Sequence, residues 1–100
     1  KTPKQLQTIL DQFPFSEDCI TTSYFVMFED HPDEAKINTV KEIELPHDQF
    51  VIYSNILYLF PEKGYGKSKF NLKRFESILG VSGTARNYKT MTKLLSLSLN

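Results

Sequence analysis

The chain has 100 residues, with 12 basic and 12 acidic side chains and a hydrophobic fraction of 40%. These values are ordinary for a soluble globular domain, and a chain of this length is long enough for one domain with a real hydrophobic core but not for two domains. No apolar run approaches the roughly 18 residues that a membrane-spanning helix needs. Cys19, the single cysteine, excludes an internal disulfide and is typical of a reducing compartment, so we expect a cytoplasmic protein.

Charge is distributed unevenly along the chain. Residues 1–60 hold four lysines against ten carboxylates, a net charge of −6. Residues 61–100 hold eight cations against two glutamates, a net charge of +6. The eight cations are Lys63, Lys67, Lys69, Lys73, Arg74, Arg86, Lys89 and Lys93. A surface that attracts anions follows only if the fold brings these cations together.

The first predicted element is a helix. Thr2 is suited to cap it, and Pro3 to occupy its first position, where the missing N–H would be unpaired anyway. The helix should end before Pro14, which disfavours helical geometry in the residue before it. Apolar residues recur between these limits at helical spacing: Leu6, Ile9, Leu10 and Phe13.

Strands are predicted in the middle of the chain. Cys19–Glu29 indicates a long central strand, because β-branched and aromatic residues alternate on both of its faces. A helix over Asp33–Val40 follows. Phe50–Tyr53 and Ile56–Phe60 then predict a hairpin, in which the asparagine of the Ser54-Asn55 turn accepts a positive φ.

The next predicted helix has signals at both ends. Asn71 is suited to cap its start, and Phe70 should pack against Phe75 as a hydrophobic staple. Gly80 provides the left-handed residue that ends a helix.

A short edge strand and a last helix complete the chain. Thr84–Arg86 has the length of a short strand, and Asn87 is suited to cap the helix that follows. That helix should direct four residues inward: Tyr88, Met91, Leu94 and Leu95. The resulting order predicts one α+β domain over residues 1–100. It has the ferredoxin-like βαββαβ plan, an antiparallel sheet with helices on one face and an extra helix at each end.

This plan leaves the second face of the sheet uncovered. Phe25, Met27 and alternate residues of the hairpin strands place apolar side chains there. A terminal helix, a second copy of the chain, a missing partner domain or a ligand is therefore needed to cover that face.

Three short segments carry a resemblance to a known family: YGKSK at 65–69, LGV at 79–81 and RNYKT at 86–90. With the first 15 residues, they resemble the C-terminal half of the bacterial family called domain of unknown function 1697, whose pattern has tryptophan and asparagine where this chain has Tyr88 and Lys89. The resemblance covers essentially the whole chain, and no established activity comes with it. It implies a fragment or a truncated relative of a longer two-subdomain protein, whose missing N-terminal half covers the second sheet face.

The Gly-rich corner after the hairpin carries the candidate binding chemistry. Gly66-Lys67-Ser68 between a strand and a helix resembles a P-loop, but Pro61 replaces the first glycine that a P-loop requires. A weaker anion site at a helix N-terminus remains, and an arginine and a helix-capping asparagine extend it. Its candidate residues are Gly66, Lys67, Ser68, Lys69, Arg86, Asn87 and Lys89. The alternative is that the lysines are solvated, Asn87 only caps, and Arg86 pairs with a carboxylate of the acidic half.

Other chemistry has little support in the sequence. His31 and His47 are isolated, and no serine or cysteine has a recognisable base, so we expect no metal, no cofactor and no catalytic residue. The aromatic residues on the predicted strands are interpreted as core or subdomain-interface residues rather than as an RNA-stacking surface. They are Tyr24, Phe25, Tyr53 and Tyr58.

Two functions remain open at this point. The first is a non-catalytic binding or assembly module for an anionic partner, either nucleic acid or a phosphorylated ligand. The second is half of an enzyme, whose active site is shared with a missing N-terminal subdomain.

Overall fold

The structure is a computed structural model that describes residues 3–43, 45, 48–64, 68 and 70–99. The described residues form four α-helices, four strands and a short 3₁₀ helix over Glu17–Thr22. The helices are α1 (Pro3–Asp11), α2 (Glu34–Lys41), α3 (Leu72–Leu79) and α4 (Tyr88–Leu99), and the strands are β1 (Tyr24–Phe28), β2 (Asp48–Tyr53), β3 (Ile56–Pro61) and β4 (Gly83–Asn87).

The strands form one antiparallel sheet in the order β2-β3-β1-β4. The predicted α+β class and ferredoxin-like βαββαβ arrangement are confirmed. β1 is a central strand and β4 an edge strand, as the sequence predicts.

The predicted strand over Cys19–Glu29 is half right. Its second half is β1, but its first half lies in the 3₁₀ helix. The hydroxyls of Thr22 and Ser23 both donate to the carbonyl oxygen of Cys19, at 3.1 and 2.7 Å. Such side-chain hydrogen bonds offer the backbone an alternative to a strand ladder.

Helices α2 and α3 cover one face of the sheet. Their contact with β1 and β3 buries Ile37, Val40, Phe75 and Leu79 against Val26, Phe28, Leu57 and Leu59. The signals predicted for α3 are confirmed. The amide of Arg74 donates to Asn71 Oδ1 at 3.2 Å, the rings of Phe70 and Phe75 lie 4.8 Å apart, and Gly80 has a φ of 73°.

Helices α1 and α4 cover the second face over β1 and β3, whereas Val51 and Tyr53 of β2 stay exposed there. Leu6, Ile9 and Met91 of these helices are buried there against Phe25, Ile56 and Tyr58 of the sheet. A terminal helix was one of the covers that the sequence left open, and the missing subdomain and the second copy stay predictions. The composite-enzyme hypothesis placed its active site against the same missing half.

Smaller predictions at both ends of the chain are partly corrected. Met91 is fully buried, and Tyr88 and Leu95 pack against the core that the sheet forms with α1 and α4. Leu94, which was predicted to point inward, is 36% exposed. The predicted cap Thr2 lies outside the described residues.

The β2–β3 hairpin is confirmed, with one difference in its turn. Ser54, not Asn55, has the positive φ, at 55°. The Asn55 side chain donates to the carbonyl oxygen of Phe28 at 3.2 Å, and the Phe28 amide donates to the Asn55 carbonyl at 2.9 Å. Asn55 therefore ties the hairpin to the end of β1.

Candidate functional site

The strand register brings two distant parts of the basic half to the same end of the sheet. Leu59 of β3 and Asn87 of β4 both lie opposite Tyr24 of β1. Because β3 and β4 are each antiparallel to β1, they run in the same direction and finish at the same end. The corner after β3 and the junction between β4 and α4 therefore start from neighbouring positions.

We call this end of the sheet the basic end. Helix α3 also begins here, because Phe75 in its first half lies 5.4 Å from Phe50, which pairs with Leu59. Five described cations belong to the basic end: Lys63 after β3, Lys73 and Arg74 in the first turn of α3, Arg86 in β4, and Lys89 in the first turn of α4.

Ser68 and Asn87, two of the predicted site residues, already make local hydrogen bonds. Ser68 Oγ accepts from the amide of Phe70 at 3.0 Å, which shapes the approach to α3. Asn87 Oδ1 accepts from the amide of Thr90 at 2.8 Å, and this is the cap that the sequence predicts for α4. Both side chains therefore stabilise the backbone around the start of a helix, whatever else they bind.

Arg86 lies on the same side of the sheet as α1 and α4, because it pairs with Phe25. Its Nη1 donates to the carbonyl oxygen of Ala85 at 2.9 Å, which leaves most of its N–H donors for other partners. It lines a groove of about 300 Å³ together with Glu29 and Leu94. A carboxylate in the same groove offsets part of the positive charge of Arg86.

The sheet divides the described cations between its two faces. Lys73 and Arg74 belong to α3 on one face, whereas Arg86 and Lys89 lie on the α4 side. The 3₁₀ helix, which begins with the acidic pair Glu17-Asp18, contacts α4.

Three of the predicted site residues, Gly66, Lys67 and Lys69, lie outside the described residues. Their approach to Arg86 and Lys89 stays a prediction. Sequence reasoning did not include three described cations of the basic end, Lys63, Lys73 and Arg74, in the site; Lys73 and Arg74 lie two and three residues after the cap of α3. Their position after Asn71 was the available signal, because a capped helix fixes where its first turn points.

A larger cavity lies at the opposite end of the sheet, between α1 and the β2–β3 hairpin. We call it the hairpin groove, and its volume is about 610 Å³. Its lining residues are Lys4, Gln5, Thr8, Ile9 and Gln12 of α1 and Tyr53, Ser54, Asn55 and Ile56 of the hairpin. Sequence reasoning missed this groove, because its two walls lie more than 40 positions apart; a polar row at helical spacing on α1 was the only local signal.

Tyr53 is the aromatic residue that stands out in this groove. Phe25 and Tyr58 are fully buried core residues, as expected, but Tyr53 is 55% exposed. Its ring therefore forms part of the surface at the edge of the sheet rather than part of either core.

The described residues were also compared with the requirements of a metal site and of a membrane-spanning helix. Among the residues that the structure describes, no three His, Cys, Asp or Glu side chains lie together as metal ligands would, and no helix has the length and apolarity to cross a membrane. Comparisons of the chain with protein-family models, curated proteins and solved structures find no match. Any statement of function must therefore rest on the geometry above.

Proposed function

We propose that this protein is a non-catalytic binding module that holds an anionic partner, a nucleic acid or a phosphorylated ligand, at the basic end. The observation that carries the proposal is the common direction of β3 and β4. It gathers Lys63, Lys73, Arg74 and Lys89, which are distant in sequence and exposed to solvent, around one end of the sheet. Clustered cations raise the local concentration of anions and speed their association.

The distribution of these cations favours an extended polyanion. Lys73 and Lys89 are on helices that cover opposite faces of the sheet, so a single phosphate group reaches only one of them. A flexible single strand of nucleic acid, which carries one charge per nucleotide, reaches both.

Membership in the family called domain of unknown function 1697 is part of the same proposal. Of the three segments that carry the resemblance, RNYKT at 86–90 forms the end of β4 and the capped start of α4. LGV at 79–81 contains the left-handed end of α3. The resemblance therefore falls partly on residues that shape the fold, and partly on Arg86 and Lys89 at the basic end.

The test is a binding measurement with a defined probe. Fluorescence anisotropy with a fluorescein-labelled single-stranded DNA of about 20 nucleotides should show binding that weakens between about 50 and 200 mM salt. Lys67→Ala combined with Arg86→Ala should lower the affinity several-fold and reduce the steepness of the salt dependence, since each lost phosphate contact removes about 0.7 from the slope.

A matched control and a second probe complete the experiment. Lys4→Ala removes one positive charge at the hairpin groove, on the opposite end of the sheet, and should leave the affinity unchanged, whereas Lys67→Ala and Arg86→Ala should each lower it when made singly. Inorganic phosphate, titrated while the amide NMR signals of Ser68, Asn71 and Asn87 are followed, separates a phosphorylated ligand from nucleic acid. Equal affinity of wild type and double variant for both probes would remove the proposal.

A further inference from the structure

Strand β2 forms an edge of the sheet and contains no lysine, proline or bulge; its one charged residue, Asp48, is half-buried at its first position. It pairs with β3 over all six of its residues in a continuous register, with no bulge, and no described strand lies on its other side. Natural edge strands are commonly protected by lysine, proline or a bulge, because their free N–H and C=O groups can pair with another chain. β2 contains none of these, whereas the opposite edge strand, β4, contains Arg86.

Apolar side chains accompany this edge. Val51 is 39% exposed and Tyr53 is 55% exposed, and both point to the side of the sheet that α1 and α4 cover elsewhere. The two terminal helices thus cover β1 and β3 but leave these β2 side chains in contact with solvent. An exposed edge and exposed apolar side chains on the same strand are the features of a strand-pairing surface.

We propose that a second copy of this chain pairs with β2, antiparallel and about a two-fold axis, so that the two sheets join edge to edge. Successive side chains of a strand point to opposite faces of the sheet. The two copies can therefore pair only in registers in which residues opposite each other point to the same face. The register centred on Val51 satisfies this condition. It places Val51 opposite the partner's Val51, and Phe50 opposite the partner's Ile52.

The charges of β2 are compatible with this self-pairing. Asp48 is the only charged residue of the strand, and in the register centred on Val51 it lies opposite the partner's Ser54. No like charges therefore face each other, and apolar residues meet apolar residues at the axis. A partner strand rich in carboxylates or lysines lacks this match.

The pairing also adds a residue to the hairpin groove. Gln49 of the partner subunit lies opposite Tyr53, which forms part of one wall of the groove. Because the two-fold axis is perpendicular to the joined sheet, both hairpin grooves open on the same side. The groove of each copy is completed by its partner.

The association should be weak. Six paired residues extend over only about 20 Å, and such a narrow contact buries less than the roughly 800 Å² per partner of a standard stable interface. We therefore expect a dimer that dissociates on dilution, with a dissociation constant between micromolar and millimolar.

Sedimentation equilibrium from about 20 µM to about 1 mM protein tests the proposal. The wild type should show a reversible monomer–dimer equilibrium. Val51→Lys places two like charges at the axis and should weaken dimerisation by at least about tenfold. Thr84→Lys, which adds the same charge to the opposite edge strand, should leave it unchanged, and Val51→Thr should retain it. Circular dichroism verifies that each variant is folded.

The register is tested separately by NMR. In a sample that mixes isotope-labelled and unlabelled copies, intermolecular contacts are expected between Gln49 of one copy and Tyr53 of the other. A wild type that stays monomeric at about 1 mM overturns the proposal, and so does a Val51→Lys variant that dimerises like the wild type. Contacts between other strands of the two copies overturn it as well. None of these three results affects the anion-binding proposal, which concerns the basic end.

Discussion

The hydroxyl of Tyr58 donates a hydrogen bond to the carbonyl oxygen of Ile9 across 2.7 Å, joining β3 to α1 over 49 positions of sequence. Both residues are buried, and the bond satisfies a polar group in the middle of an otherwise apolar layer. It helps to position α1 on the second face of the sheet. The bond thus connects an internal strand with one of the two terminal helices that cover that face.

Tyr58→Phe should therefore destabilise the fold. The substitution removes the donor but leaves the buried carbonyl of Ile9, and the free energy of unfolding should fall by about 1–2 kcal/mol. Urea denaturation followed by circular dichroism measures the change. Tyr53→Phe removes the same hydroxyl from a side chain that is 55% exposed, and it should change stability by less than about 0.5 kcal/mol. Equal losses in the two variants would show that the Tyr58 bond contributes nothing specific.

Alkaline pH should weaken the same contact. Burial raises the pKa of Tyr58 from 10.0 to about 12, with a smaller contribution from the charge of Tyr53. The unfolded chain therefore releases this proton at a lower pH than the folded protein does, so the stabilisation is complete below about pH 10 and is lost as the pH rises towards about 12. Thermal unfolding over this range should show the wild type losing its advantage over Tyr58→Phe. A difference that is independent of pH would contradict this account.

Local sequence signals predicted most of the fold correctly. Asn71, Phe70 and Gly80 determine how α3 begins and ends, and each acts on residues within five positions of itself. The strand over Cys19–Glu29 was predicted too long, because its composition favours a strand while the hydroxyl of Ser23 bonds to the backbone four residues earlier. The strand propensity of single residues does not account for this competition between side-chain hydrogen bonds and strand pairing.

Long-range contacts could not be predicted in this way. The pattern showed that the second face needed a cover, but only the contacts of Leu6, Ile9 and Met91 identify α1 and α4 as that cover. The candidate site has the same limit. The predicted strand order implied that β3 and β4 finish at the same end, whereas the faces on which Lys73 and Arg86 lie depend on how the helices pack.

Two glycines in the connection to β4 should differ in their tolerance of alanine. At Gly83, an added Cβ would lie 2.8 Å from Phe28 Cδ1 and 2.9 Å from Val26 Cγ1. Both side chains are buried in the core that the sheet forms with α2 and α3. At Gly80, it would lie 3.0 Å from the flexible end of Lys36, and the cost arises from the φ of 73°. Gly83→Ala should cost about 1–3 kcal/mol and Gly80→Ala about 1 kcal/mol, as measured by urea denaturation.

A second substitution at each glycine separates the two causes. Gly80→Asn should recover part of the stability lost in Gly80→Ala, because asparagine tolerates the left-handed region better than alanine does. Phe28→Leu in the Gly83→Ala background should relieve the overlap, so the two changes together should cost less than the sum of their separate costs. Additive effects at Gly83 would indicate that its backbone, rather than its neighbours, sets the requirement for glycine.

Asn87 offers a test that separates stability from binding at the basic end. Asn87→Ala removes the acceptor for the Thr90 amide and should cost about 1 kcal/mol in unfolding free energy. Asn87→Asp keeps an acceptor at the cap and places a negative charge at a helix N-terminus, so stability should be maintained or slightly raised. The same negative charge lies between Arg86 and Lys89 in sequence and should lower the affinity for the labelled single strand. If Asn87→Asp binds that strand as tightly as the wild type, while Lys73→Ala with Arg74→Ala does not, then the anion is held on the α3 side of the sheet, away from the cap of α4.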